Sequence, residues 1–265
     1  MLEQKVILNP LHLPHLKPSL GLVALTPLLA GCANGEVSGL GFEEGITSVN
    51  DQSLSLWQGA WIAAAVVGVI TLILILWPVF FHRKKDENFP KQTQYNIPVE
   101  IAYTLIPFLI VAVLFYFTVQ RESKIVKISP DSQVSHFIDV VGFQWSWQFK
   151  YKDAGDFKSA TVTGSPAQPP TLYLPQGQKV RFTLDANDVV HGFWIPAFMI
   201  QMQNLPGVTN QLEFTANKLG TYPGRCNILC GRNHAQMLFT VKVVTLAEYP
   251  SYIEGLVAEE KAAIA

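Results

Sequence analysis

The sequence has 265 residues, enough for one or two compact domains, with a formal net charge of −1 and a pI near 6.6. A chain this close to neutral is not built to bind nucleic acid. Only 15% of its residues are charged and its mean hydropathy is +0.23, too apolar for an ordinary soluble domain and too polar for an all-membrane protein, so the apolar residues must be concentrated in segments.

The first such segment lies within 1–31. Lys5 and Lys17 precede about a dozen apolar residues ending in "LAGC". That length suits the core of an export signal and is too short to span a bilayer. The small residues before Cys32 resemble a bacterial lipobox, which predicts cleavage before Cys32 and lipidation of its thiol, with an exported stretch over 32–56. Two acyl chains would anchor the chain far more firmly than one.

Residues 57–81 carry no charge, and residues 97–119 carry only Glu100. About 20 apolar residues suffice to cross a bilayer, so 57–81 and 97–120 are predicted transmembrane helices. Arg83, Lys84, Lys85 and Lys91 in the turn 82–96 place it in the cytoplasm and both flanks outside. Trp57, Trp61, Trp77, Phe80 and Phe81 form interfacial belts. Asn96 and Pro98 suit the start of the second helix, and Glu100 there has a structural reading as a carboxylate favoured by the helix dipole. Its functional reading is a proton-path carboxylate at the membrane edge.

From about 125 to 246 the pattern changes to short alternating runs. "QVSHFIDVVGF", "QWSWQFKY", "TLYLPQGQKVRFTLDA", "NQLEFTA" and "QMLFTVKVV" read as strands, with "DAGD" and "PQGQ" as turns and "GSPAQPP" as a loop. The result is an all-β sandwich or barrel, followed by a terminal helix over 247–265.

Three cysteines, Cys32, Cys226 and Cys230, leave one without an intrachain partner. Of six histidines, only His191 and His234 fall in loop-like ground within the β domain. The segment "GRCNILCGRNHAQM" spaces Cys226, Cys230, His234 and Met237 within twelve positions. A lone C-x₃-C in an exported domain is more often a disulfide. Thiolate, imidazole and thioether together are what soft copper prefers, whereas zinc has no use for the thioether. A mononuclear blue-copper site needs one thiolate, so the second makes sense if both bridge two coppers. Each copper then takes one histidine, with Met237 on one side and a backbone carbonyl on the other.

These residues, after a two-span hairpin and a "QWSW" segment, resemble subunit II of haem-copper cytochrome c oxidase from about 50 to 245. The resemblance implies a two-helix transmembrane hairpin followed by a cupredoxin-like Greek-key β-barrel with a binuclear copper A centre. Its ligands would be His191, preceded by Asp188 in a D-x-x-H pattern, then Cys226, Cys230, His234, Met237 and the carbonyl of Ile228. The family usually has Glu at the position of Ile228, where the side chain also helps bind magnesium, so this chain lacks that carboxylate. The run "MIQMQNLPG" likewise lacks charges often found there, so the polar link to subunit I is expected to differ. Trp145 and Trp147, two apart on one predicted strand, face the same side. The family implies that Trp145 receives the electron from cytochrome c and that Trp147 packs near copper. The middle residue, usually Tyr, is Ser146. Glu100 falls where the family has the mouth of a proton pathway into subunit I.

The resemblance implies the electron-accepting subunit of a bacterial oxidase. It would take electrons from cytochrome c, soluble or bound in a supercomplex, and deliver them to haem a in subunit I. Oxygen is reduced there with proton translocation, and the copper domain faces outside the plasma membrane. Asp131, Asp153 and Asp156 are few and scattered as a docking surface for a basic donor. Three rivals differ in kind: a quinol oxidase subunit II, which lacks the copper ligands; a nitrous oxide reductase, which lacks the hairpin; and a lipoprotein with a disulfide-stapled β domain acting as a binding or assembly module.

Overall fold

The computed structural model describes residues 41–84, 86–89, 92–152 and 160–264. The export-type leader and Cys32 lie outside these residues, as do Asp153 and Asp156.

Two long helices come first, α1 (Asn50–Phe81) and α2 (Ile97–Ile125), and both are long and apolar enough to cross a membrane. Ile62 and Leu74 on α1 are each 67% exposed, and Phe108 on α2 is 69% exposed. Helices apolar on all sides with nothing packed over them are stable only in a hydrocarbon solvent. The helices α1 and α2 outrun their predicted spans, because α1 starts at Asn50 and α2 continues to Ile125. The extra turns of α1 dock on the β domain. Leu54 is buried and Ser53 Oγ donates to the Met199 carbonyl at 3.2 Å. Asn50 Oδ1 accepts from the Thr47 N–H at 3.0 Å, and its Nδ2 donates to the Glu43 carbonyl at 2.8 Å. Arg121 Nη1 donates to Gln52 Oε1 at 2.9 Å and ties α2 to the same end of α1.

At the other end of α2, the Val99 N–H donates to Asn96 Oδ1 at 3.5 Å and the Asn96 N–H to Glu100 Oε1 at 2.9 Å. This reciprocal cap satisfies two amides that the first turn would otherwise leave bare. The predicted structural role of Glu100 is therefore present in the geometry.

Ten strands follow: β1 (His136–Phe143), β2 (Ser146–Tyr151), β3 (Ala160–Thr163), β4 (Thr171–Pro175), β5 (Lys179–Ala186), β6 (His191–Ile195), β7 (Ile200–Asn204), β8 (Asn210–Thr215), β9 (Gly220–Cys226) and β10 (Leu238–Val244). They form two five-stranded sheets, ordered β3-β2-β1-β5-β8 and β4-β10-β9-β6-β7. Each sheet contains one parallel pair, β1 with β5 and β4 with β10, and its other pairs are antiparallel. The "PQGQ" turn, with Gly177 at φ +72°, carries the chain from one sheet to the other, so β4 and β5 do not pair. This is a cupredoxin-like β-sandwich on a two-helix hairpin.

The core lies between the sheets, where Phe193 and Phe239 stack with centroids 5.0 Å apart and Trp147 meets both rings edge-on. Buried aromatic pairs of this kind contribute about 0.5–1.5 kcal/mol each beyond their area. A third helix, α3 (Glu248–Ile264), closes the chain. Thr245 and Glu248 exchange hydrogen bonds at its start, Tyr252 stacks on Tyr173 at 3.7 Å, and the Thr161 N–H donates to Glu260 Oε1 at 2.6 Å.

Candidate metal centre

The site sits at one end of the sandwich, where β6 begins and β9 ends. His191 is the first residue of β6 and Cys226 the last of β9, so neither lies in the loop ground that the sequence suggested for His191. The strands β6 and β9 pair through Phe193 and Cys226, which brings the two ligand-bearing segments side by side. The chain then loops through Ile228 and Cys230 to a short 3₁₀ turn, His234–Gln236, and Met237 leads into β10. The Cys226 N–H donates to the Met237 carbonyl at 3.0 Å and closes that loop.

Six predicted ligands converge. Cys226 Sγ and Cys230 Sγ are 3.8 Å apart, far beyond the roughly 2.05 Å of a disulfide. Cys230 Sγ lies 3.7 Å from Met237 Sδ and 3.6 Å from His234 Nδ1. The Ile228 carbonyl oxygen lies 3.2 Å from Cys226 Sγ. Candidate ligand atoms of His191, Cys226 and Cys230 all lie within 4.8 Å of one another. His191, Cys226, Cys230 and Met237 are buried, and His234 is half-buried.

The polar shell decides whether this cluster suits a metal. His191 Nε2 pairs with Asp188 Oδ1 at 2.8 Å, while its Nδ1 is buried with no hydrogen-bond partner among the described residues. A ring beside two sulfurs, held by a carboxylate through one nitrogen with the other bare, is the arrangement of a metal-ligating histidine. The His191 ring and His234 Nδ1 thus lie beside the sulfur pair, and the donor set is the soft one copper prefers. The residues present fit copper.

Electrostatics point the same way. Burial pushes the Cys226 thiol up, but the neighbouring His191 imidazole and the Gly192 N–H outweigh it and bring it to about 6. Burial and the negative charge of Cys226 push Cys230 up to about 12. Without a cation the pair tolerates one negative charge; with both thiolates formed it requires positive charge between them.

Two contacts were not anticipated. Gln144 Nε2 donates to the Cys230 carbonyl at 2.9 Å, and Trp145 Nε1 donates to the same oxygen at 3.1 Å. The Gln144 N–H also donates to Asp188 Oδ2 at 2.6 Å, so the β1–β2 turn grips both ligand segments. Gln144 stood in the quoted "QWSW" run but carried no local signal of this role. Trp145 belongs to that turn and precedes the strand on which it was predicted, and it is half-buried; Trp147 is wholly buried on β2. Both indoles still reach the ligand loop, since Trp147 Nε1 donates to the Met237 carbonyl at 3.4 Å. Ser146 is buried, with no partner for its hydroxyl among the described residues. Glu100 is apart from this cluster, in the first turn of α2 and roughly 40 Å of helix from the β domain.

Residues 136–244 match the family model described as the periplasmic domain of cytochrome c oxidase subunit II. A probable cytochrome c oxidase subunit 2 of Streptomyces coelicolor is 38% identical to the chain, over 89% of this chain and 84% of that protein. The chain belongs to the cytochrome c oxidase subunit II family. A cytochrome c oxidase subunit 2 of Mycobacterium bovis is 34% identical over 89% of this chain and 79% of that one. Among solved structures, the periplasmic domain of subunit II of cytochrome oxidase from Bradyrhizobium japonicum is 28% identical, covering 50% of this chain and 99% of that one, with a TM-score of 0.45. Membership of the subunit II family makes the chain part of a haem-copper oxidase, and the family implies copper A at the His191, Cys226 and Cys230 group.

Proposed function

We propose that this chain accepts electrons from cytochrome c near Trp145 and delivers them to haem a in subunit I, where oxygen is reduced. His191, Cys226, Cys230, His234, Met237 and the Ile228 carbonyl are the residues that would hold a binuclear copper A centre. When bound, that centre supplies a one-electron store with its charge spread over two metals and two sulfurs.

The chain's own residues carry the rest. Asp188 fixes the His191 ring through Nε2 and leaves the buried Nδ1 free to ligate. The Gly192 N–H donates to Cys226 Sγ at 3.4 Å and stabilises it as a thiolate. Trp147, Met237 and Phe193 exclude water from behind the sulfurs, which keeps the local dielectric low and the geometry fixed. Trp145 is partly exposed on one side and hydrogen-bonded to a ligand residue's carbonyl on the other. That single contact is the observation supporting its role as the place where the electron arrives.

The hairpin α1–α2 would bind subunit I and hold the β domain just above the outer face of the plasma membrane. Glu100 is the residue of this chain proposed to stand at a proton pathway into subunit I. Ile228 offers no carboxylate, so any magnesium at the subunit contact would draw its side-chain ligands from elsewhere.

The test is Trp145→Phe in the intact oxidase, with reduction by cytochrome c followed by stopped flow. The variant keeps an aromatic ring but loses the donor to Cys230. We expect electron uptake to fall at least tenfold with the copper content unchanged. An unchanged rate would remove Trp145 from the route.

A further inference from the structure

A second feature lies at the junction of the hairpin and the sandwich, well apart from the metal-ligand loop. A cavity of about 410 Å³ opens there, lined among others by Val49, Lys124, Lys127, Ile128, Lys179 and the carboxylate of Glu213. Its volume falls in the range of small-molecule sites.

Charge and position identify the ligand. Lys124 lies in the last turn of α2 and Lys127 just beyond its end, and neither has an acidic partner among the described residues. Lys179 Nζ is 3.4 Å from Glu213 Oε1 and donates to Ser129 Oγ at 2.8 Å. Glu213 is shared between Lys179 and Arg181, so it balances Lys179 but leaves Lys124 and Lys127 uncompensated. A lysine in the last turn of a helix is favoured by the helix dipole alone, which would account for Lys124. It does not account for Lys127, beyond the helix end, or for Lys179, which comes from β5 on the other wall. Lys124 and Lys127 at the end of α2 and Lys179 from β5 therefore face one cavity, the first two with no carboxylate beside them among the described residues, and Val49, Ile128 and Phe214 supply apolar surface. The lining therefore suits an anion.

Depth favours the same answer. The apolar run of α2 ends at Val119, and Lys124 lies about 7.5 Å farther along the helix at 1.5 Å per residue. A bilayer's headgroup layer extends roughly that far beyond its hydrocarbon. Lysine side chains reach back toward phosphate level from such positions. We propose that this cavity binds the phosphate headgroup of an anionic phospholipid from the leaflet on the β domain's side, held chiefly by Lys124 and Lys127.

The test uses the intact oxidase in nanodiscs of phosphatidylcholine containing a minor fraction of phosphatidylglycerol. Lipid retained after detergent extraction is counted by mass spectrometry for wild type and for the double variant Lys124→Gln, Lys127→Gln. Each lysine near an anionic headgroup contributes about 1 kcal/mol, so retained phosphatidylglycerol should fall at least tenfold in the double variant, with phosphatidylcholine retention and the optical spectrum unchanged. Lys84→Gln, at the opposite membrane face, should retain lipid as wild type does. Equal phosphatidylglycerol retention in wild type and the double variant would overturn the proposal, as would a site filled by another oxidase subunit. Displacement of the lipid by millimolar inorganic phosphate would identify a free-anion site and overturn the lipid assignment.

Discussion

Gly192 has no room for a methyl group. A Cβ there would come within 1.9 Å of Asn227 Oδ1 and 2.7 Å of Ile228 Cγ1, both on the ligand loop. Gly142 is confined less severely, because a Cβ would meet the His191 ring at 2.9 Å. Gly192→Ala should therefore push the Cys226–Cys230 loop outward, cost about 1–3 kcal/mol and lower copper content measured per chain. Met237 invites a gentler change. It is wholly buried with its sulfur 3.7 Å from Cys230 Sγ, and leucine has a similar volume. Met237→Leu should cost less than about 1.5 kcal/mol in thermal unfolding while shifting the visible spectrum and redox potential of the loaded protein. A variant with unchanged potential would show that the thioether is only packing. Gln144 and Trp145 share the Cys230 carbonyl, so double substitution there should perturb the site more than either single change.

At the scale of elements, β5 and β8 carry a buried ion pair. Arg181 lies directly opposite Glu213, both side chains are at most 6% exposed, and Arg181 also bonds Asp131 and the Ser129 carbonyl. Asp131 is therefore engaged within the fold and is not a free docking acid. Burial pushes the Glu213 carboxyl up, but Ser129 and Arg181 outweigh it and hold the group below its ordinary 4.5. A carboxylate depressed on folding contributes stability that is present above its unfolded value and lost as pH falls through its folded one. Thermal unfolding should thus be steady above about pH 4.5 from this pair and weaken below it. Glu213→Gln should cost about 3–5 kcal/mol at pH 7 and flatten the acid limb. The strands easiest to foresee, β1, β2, β4, β5, β8 and β10, are those with strong apolar alternation. The four others were not legible. The sequence of β9 is broken by Pro223 and by Gly220 and Gly224, β6 is five residues with a glycine second, β7 is largely polar, and β3 spans only four residues. Their strand character comes from pairing with neighbours, a long-range effect that local pattern does not carry. The ligand residues were legible because their chemistry is unusual at any spacing. The grip of Gln144 was not, since it depends on a turn meeting a loop 86 residues away.

The whole molecule joins two solvents. An apolar hairpin is fixed to a β-sandwich through Leu54, Ser53 and Asn50, so the membrane sets the height of the ligand loop above it. A rigid join suits electron transfer between partners, because the distance to the next centre does not fluctuate with a linker. Everything functional rests on Cys226 and Cys230 sharing metal instead of bonding to each other. The decisive measurement is electron paramagnetic resonance with metal analysis on the intact, freshly isolated oxidase complex. Two copper ions per chain, with one unpaired electron split equally by two copper nuclei, is the predicted result. A metal-free site with Cys226 and Cys230 joined as a disulfide would contradict it.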